Sequence, residues 1–169
     1  MIIRSRIGLG IIGLGNGIMM EEVLPVKIST KGQYALQMML DLAINDTGEY
    51  ITIKSIAARQ NLSEKYLEQI INMLSKANYV KSVRGARGGY RLSNPPEYYT
   101  VGMILRTIEG SMAPLSCIED AGDCTKTEEC VLCGLWRKIS DSINEVIDHV
   151  TLEDLVRDYQ ESVGYDYMI

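Results

Sequence analysis

The only four cysteines of the chain, Cys117, Cys124, Cys130 and Cys133, fall in one short stretch, separated by six, five and two residues. Cysteines this crowded cannot staple distant parts of a fold, so no disulfide framework stands in for a core. Apolar burial must hold the chain together instead. With 169 residues, 46% of them hydrophobic, there is enough for one core or for two small subdomains sharing an interface. The same crowding lets four thiolates converge on one metal centre from a single loop. Thiolates suit an iron-sulfur cluster, a tetrahedral zinc site, or a set of redox thiols without metal. Asp120, Asp123, Glu128 and Glu129 make the loop polar and favour its exposure.

The net charge of -5 conceals a strong segregation. Residues 27-91 carry ten Lys/Arg against five Asp/Glu, whereas residues 92-169 carry five against fifteen. One part should seek polyanions and the other should repel them. Before the basic part, Arg4 and Arg6 precede an apolar, Gly-rich run from Ile7 to Met20. It lacks a small-residue cleavage site and is shorter than the roughly 20 apolar residues that span a bilayer. No export signal or membrane span is expected, and the setting reads as reducing and cytoplasmic. The folded pattern begins at Val26-Lys27-Ile28-Ser29, and Glu21-Glu22-Val23 can be encoded by a purine-rich ribosome-binding sequence. Residues 1-25 are therefore expected to be an over-extended or disordered amino terminus, with Val26 written for a GTG initiator. Amino-terminal sequencing that began at Met1 would reject this.

Ser29 and Thr30 can cap a helix in which Ala35, Leu36, Met39, Leu40 and Ala43 recur at helical spacing until Asn45-Asp46-Thr47-Gly48. Thr52 precedes a short second helix from Ile53 to Arg59. Ser63 heads a third, with Leu67, Ile70, Ile71 and Leu74 on one stripe and Lys65, Glu68, Gln69, Asn72 and Lys76 on another. Two short helices joined by Gln60-Asn61-Leu62-Ser63 make a helix-turn-helix, whose second member can enter a major groove. A polar outer stripe is common to three-helix domains, so a purely structural bundle stays open at this point.

Tyr79 to Val83 alternates like a strand, Arg84-Gly85-Ala86-Arg87-Gly88-Gly89 reads as a turn, and Tyr90-Arg91-Leu92 begins a return strand. The result is a hairpin with arginines at its tip, where glycines let Arg84 or Arg87 approach a narrow groove or phosphates. The alternative is a surface hairpin with incidental charge. A nucleotide phosphate loop fits poorly, since the glycines lie between strands rather than before a helix. Asn94-Pro95-Pro96 ends the hairpin, and a helix from Thr100 to Gly110 follows. After the cysteine loop, Leu135, Ile139, Ile143, Val146 and Val150 recur at spacings of four, four, three and four. That is close to the 3.5 period of a helix-helix seam and predicts a long dimer helix, with packing inside the monomer as the alternative. Thr151-Leu152-Glu153-Asp154 then caps a short terminal helix. His149, the single histidine, suits the helix carboxyl-terminal dipole better than a ligand role. Trp136 reads as a packing anchor.

Four stretches together resemble the Rrf-type winged-helix transcriptional regulators, the family of IscR, NsrR and CymR. They are Ile28-Ser29-Thr30-Lys31-Gly32-Gln33-Tyr34-Ala35, Leu62-Ser63-Glu64-Lys65-Tyr66-Leu67-Glu68-Gln69, Val83-Arg84-Gly85-Ala86-Arg87-Gly88-Gly89-Tyr90 and Cys130-Val131-Leu132-Cys133-Gly134-Leu135-Trp136. The resemblance covers the chain from about Val26 to Tyr159 and is closest to the IscR-like iron-sulfur regulators. It implies a mainly α fold with a small β-hairpin wing: a winged helix-turn-helix over 26-96, a connecting helix over 97-116, a cysteine loop over 117-133, and a dimerisation helix with a terminal helix over 134-163.

By the same likeness a homodimer reads palindromic double-stranded operator DNA. Lys65, Tyr66, Glu68 and Gln69 would face the major groove, Arg84 the minor groove, and Lys31 and Tyr34 the backbone. Glu68 can accept from a cytosine amino group and Gln69 can pair with adenine. The full candidate set is Lys31, Tyr34, Ser63, Lys65, Tyr66, Glu68, Gln69, Arg84, Arg87 and Arg91. Arg87 stands where many relatives have a small residue and Gln33 where many have Arg, departures that bear on the operator read. The iron-sulfur members carry three cysteines in the matching loop, and IscR has His in place of Cys133. The resemblance therefore implies a cluster on Cys117, Cys124, Cys130 and Cys133, 2Fe-2S favoured over 4Fe-4S, with zinc as the alternative. A regulator of cysteine or sulfur metabolism acting through zinc-bound or free thiols is the second reading. A small iron-sulfur or dithiol redox protein is a third, of another class, and it leaves the basic head without a purpose. No Ser/His/Asp set, paired catalytic carboxylates or nucleotide loop points to an enzyme.

Overall fold

A serine or threonine stands at the head of each of four helices in the computed structural model, which describes residues 28-85, 88-119 and 130-165. The side chain of Ser29 accepts from the Gly32 amide ahead of α1 (Thr30–Ile44), and Thr52 accepts from Ser55 ahead of α2 (Ile53–Gln60). Ser63 does the same for Tyr66 in α3 (Glu64–Lys76) and Thr100 for Met103 in α4 (Val101–Glu109). Each cap satisfies an amide that would otherwise lack a partner and contributes about 1 kcal/mol. The surplus segment expected at 1-25, Arg87 and Cys124 lie outside the described residues.

The helical period divides α3 into two faces. Leu67, Ile70, Ile71 and Leu74 are fully buried, and they meet Ala35, Met38, Met39 and Leu42 of α1 and Ile56 of α2 in one core. Burying a side chain of this size stabilises by roughly 1.5–3 kcal/mol. Lys65, Glu68, Gln69, Asn72 and Lys76, on the other face, are exposed, as the alternating stripes predict.

β1 (Val80–Val83) and β2 (Gly89–Leu92) form the antiparallel hairpin, with Val80 opposite Leu92 and Val83 opposite Gly89. A third piece of backbone joins it. Ile51, in the loop after α1, exchanges both backbone hydrogen bonds with Tyr90, at 2.9 and 2.8 Å. Gly89 is required by this approach, because a Cβ there would stand 2.5 Å from the Ile51 carbonyl oxygen. A 3-10 turn, Pro96–Tyr98, leads to Tyr99. The ring of Tyr99 is fully buried, and its hydroxyl accepts from the Asn94 amide and donates to the Tyr79 carbonyl.

Beyond α4 come one turn of helix, α5 (Ser116–Glu119), then α6 (Cys133–His149) and α7 (Leu152–Tyr165). α7 is longer than the short terminal helix expected from its cap. Its Thr151 and Asp154 cap each other reciprocally, and Leu152 enters the same core as α1 and α3. The end of α6 is stitched to the start of α4 by backbone: Val101 donates to Val150 at 2.9 Å and Leu152 donates to Tyr99 at 2.8 Å. Among the described residues no helix is long and apolar enough to cross a membrane.

Gly89→Ala should lower stability by about 1–3 kcal/mol, the cost of forcing a methyl into a packed contact. Urea denaturation checks this, and an unchanged midpoint would show that the contact between Ile51 and Tyr90 is slack.

Candidate nucleic-acid interface and cysteine-bearing helix

The turn between α2 and α3 is tight because Asn61 adopts a left-handed conformation, φ 52°, while the Leu62 amide returns to the Ala57 carbonyl at 3.0 Å. Asn tolerates that region better than most residues with a side chain. Ser63 follows directly, and its hydroxyl accepts from the Tyr66 amide at 3.3 Å, so it starts α3 as well as lying on the surface. Lys65, Glu68 and Gln69 project from the exposed face with Asn72 and Lys76 beyond them. Tyr66 is half-buried and meets Tyr34 of α1 edge-on, with ring centroids 5.7 Å apart. Lys31 is half-buried one turn before Tyr34. The amino-terminal parts of α1 and α3 thus stand side by side, bringing Tyr34 and Tyr66 together.

Arg84 is exposed at the end of β1, next to Gly85 at φ 117°. The Gly88 amide closes the turn on the Gly85 carbonyl at 2.9 Å. Arg91 is placed differently from Arg84. Its guanidinium lies 5.9 Å from the centre of the Tyr50 ring and donates to the Gly48 carbonyl at 3.3 Å, bracing the hairpin against the loop after α1.

Cys117 lies on α5, Cys130 just before α6, and Cys133, buried, is the first residue of α6. The Cys133 amide donates to the Cys130 carbonyl at 3.1 Å, and α5 packs against α6. Cys130 and Cys133 therefore stand together at the amino-terminal end of α6, with Cys117 on the neighbouring α5. Among the described residues, no three Cys, His, Asp or Glu side chains come close enough to hold a single ion. The donor chemistry, all sulfur, fits a thiophilic group such as an iron-sulfur cluster or zinc. His149 caps the opposite end of α6, its Nδ1 2.6 Å from the Glu145 carbonyl, away from the cysteines.

Two polar clusters had no counterpart in the sequence reading. Asp41, inside the apolar face of α1, accepts from Arg59 Nε at 2.9 Å, Arg59 Nη2 at 2.5 Å and Gln60 Nε2 at 3.0 Å. The signal was present: a carboxylate among core positions demands a cationic partner. Arg106 of α4 grips Asp148 at 2.5 and 2.9 Å and Asn144 at 2.7 Å, joining α4 to α6. Hydrogen bonding to Arg106 holds the Asp148 carboxyl below its ordinary value, and the same bonds raise the Arg106 guanidinium.

The apolar residues of α6 also divide. Ile147 is buried, whereas Leu135 and Val146 are 50% and 63% exposed, and Val146 lines an open apolar groove with Ile139, Ile143, Ile147, Lys138 and Ser142.

Residues 28–158 match the model of the Rrf2 family, described as iron-dependent transcriptional regulators. The HTH-type transcriptional regulator CymR of Bacillus subtilis is 45% identical over 130 residues, 77% of this chain and 89% of that protein. The solved structure of CymR, the global cysteine regulator of B. subtilis, superposes with a TM-score of 0.66 at 44% identity, covering 78% of this chain and 96% of that one. The structure of T. potens IscR gives 0.67 at 45% identity, covering 80% and 90%.

Asp148→Asn should cost no more than about 1 kcal/mol near neutrality, because the pair with Arg106 is more than a third exposed. A depressed carboxylate contributes stability above its unfolded pKa of about 3.9, lost as pH falls through the lower folded value. The difference between variant and wild type in urea should accordingly vanish at strongly acid pH, and a constant difference would contradict it.

Proposed function

The chain belongs to the Rrf2 family of transcriptional regulators, and from that premise we propose that it is a homodimeric reader of palindromic duplex DNA controlled by an iron-sulfur cluster. It is a DNA-binding regulator rather than an enzyme. The observation that carries the reading is the exposed polar face of α3, on a body that also carries an exposed Arg84 at the end of β1. α3 would enter the major groove with Lys65, Tyr66, Glu68 and Gln69 facing it, Glu68 and Gln69 at base edges, and Arg84 would reach the minor groove. Lys31, Tyr34, Ser63, Arg87 and Arg91 complete the proposed surface. Two half-sites need two reading helices, and the exposed Leu135 and Val146 on α6 are where a second copy would pack.

Cys117, Cys124, Cys130 and Cys133 would hold the cluster, with 2Fe-2S favoured over 4Fe-4S. When bound, it supplies a cross-link through sulfur that changes in iron supply, oxidants or nitric oxide can remove. The chain's own residues would carry the consequence. Cys133 opens α6, and Arg106 with Asp148 and Asn144 ties the other end of α6 to α4. A shift in how α6 is seated would alter the spacing of the two reading heads.

A second reading has its own support in the likeness to CymR, named a global cysteine regulator. On that reading the cysteines respond to sulfur supply through zinc or as thiols. Metal, iron and acid-labile sulfide content of anaerobically purified protein separate the two: iron with sulfide supports the first, and zinc or no metal the second.

Arg84→Ala should weaken operator binding by about 1–3 kcal/mol whether or not the cluster is present. Cys130→Ala should instead remove the cluster-dependent difference in affinity and leave the helical content unchanged. Footprinting with holo and apo protein checks both, and equal affinity of the two wild-type forms would overturn control by the cluster.

A further inference from the structure

Asp41 is the one buried carboxylate among the described residues, only 4% exposed. It sits at the far end of a single face of α1, seven residues after Tyr34, with Met38 between them. This face holds the helix-turn-helix on both sides of its turn. Tyr34 meets Tyr66 in the first turn of α3, and Asp41 takes three hydrogen bonds from Arg59 and Gln60, the last two residues of α2. Only Asn61, Leu62 and Ser63 separate those residues from α3.

Magnitudes decide what such a pair is for. An ion pair between a buried carboxylate and a guanidinium that is 38% exposed gives little net stability, because desolvation of the one and solvent screening of the other offset the attraction. The fork of an arginine on a carboxylate is directional, fixing angle as well as distance. The core of Leu67, Ile70, Ile71 and Leu74 fixes which face of α3 turns inward and a preferred crossing angle, but side-chain packing leaves that angle a scatter of about 15–20°. Asp41 adds the direction.

We propose that Asp41 is a positioning residue for sequence readout: by gripping Arg59 and Gln60 it sets the angle at which α3 presents Lys65, Glu68 and Gln69 to the duplex. This rests on the reading of α3 as the major-groove helix. Base-edge hydrogen bonds are lost with small misplacement, whereas attraction to phosphates tolerates it. Loosening the grip should thus cost discrimination more than affinity.

The test uses the full chain and a duplex that the wild-type protein selects from random-sequence DNA, with a scrambled duplex as the comparison. Asp41→Asn retains shape but loses the charge that holds the arginine fork. In a variant with wild-type circular dichroism well below its melting point, affinity for the selected duplex should fall at least about tenfold, the scale of one good base contact. Affinity for the scrambled duplex should stay within about twofold, with the same salt dependence. Arg59→Gln, at a side chain that is 38% exposed, carries the same expectation if Asp41→Asn does not fold. Arg59→Lys, which keeps the charge without the fork, should also fail to restore discrimination. A folded variant with an unchanged ratio between the two duplexes, or with equal loss on both, overturns the proposal while leaving the regulator reading intact. A wild-type protein that selects no sequence overturns both.

Discussion

The burial of one face of α3 is the constraint from which the rest of the structure follows. Leu67, Ile70, Ile71 and Leu74 have no exposure, and a helix repeating every 3.6 residues cannot bury them without turning Lys65, Glu68, Gln69, Asn72 and Lys76 outward. α1 and α2 supply the floor for that face. The hairpin, held against the loop after α1 by the pairing of Ile51 with Tyr90, then lies on the same small body as the exposed stripe. Core formation and the display of a reading surface are one event here.

Much of this was legible in the residues because the signals are local. Ser29, Thr52, Ser63 and Thr100 each accept from an amide three residues on, so a cap can be read without knowing the fold. The two stripes of α3 and the hairpin with its glycine turn are likewise matters of short period. The pairs that organise the tertiary structure are not. Asp41 finds Arg59 eighteen residues away and Arg106 finds Asp148 forty-two away, separations at which no spacing rule selects a partner. The length of α7 was missed for a related reason: Thr151 announces where it starts, but its packing on the core comes from elements far earlier in the chain. The contacts of Arg91 with Tyr50 and Gly48 brace the hairpin, a structural role that counting charges does not reveal.

The charge is unevenly distributed along the chain, with residues 27-91 carrying ten Lys/Arg against five Asp/Glu and residues 92-169 five against fifteen. Attraction of a polyanion to the basic segment is sensitive to salt. The family likeness to both CymR and IscR is compatible with one head serving different chemistry at the cysteine loop.

The backbone bridge between Thr100 and Thr151 gives α6 a mechanical character. Its carboxyl-terminal end is clamped by the Val101 to Val150 and Leu152 to Tyr99 bonds and by Arg106, while its other end begins at Cys133 against the single turn of α5. A helix of 17 residues is about 25 Å long, so a swing of about 5° about the clamp moves its tip by about 2 Å. Cys130 and Cys133 stand at the end of this lever farthest from the clamp.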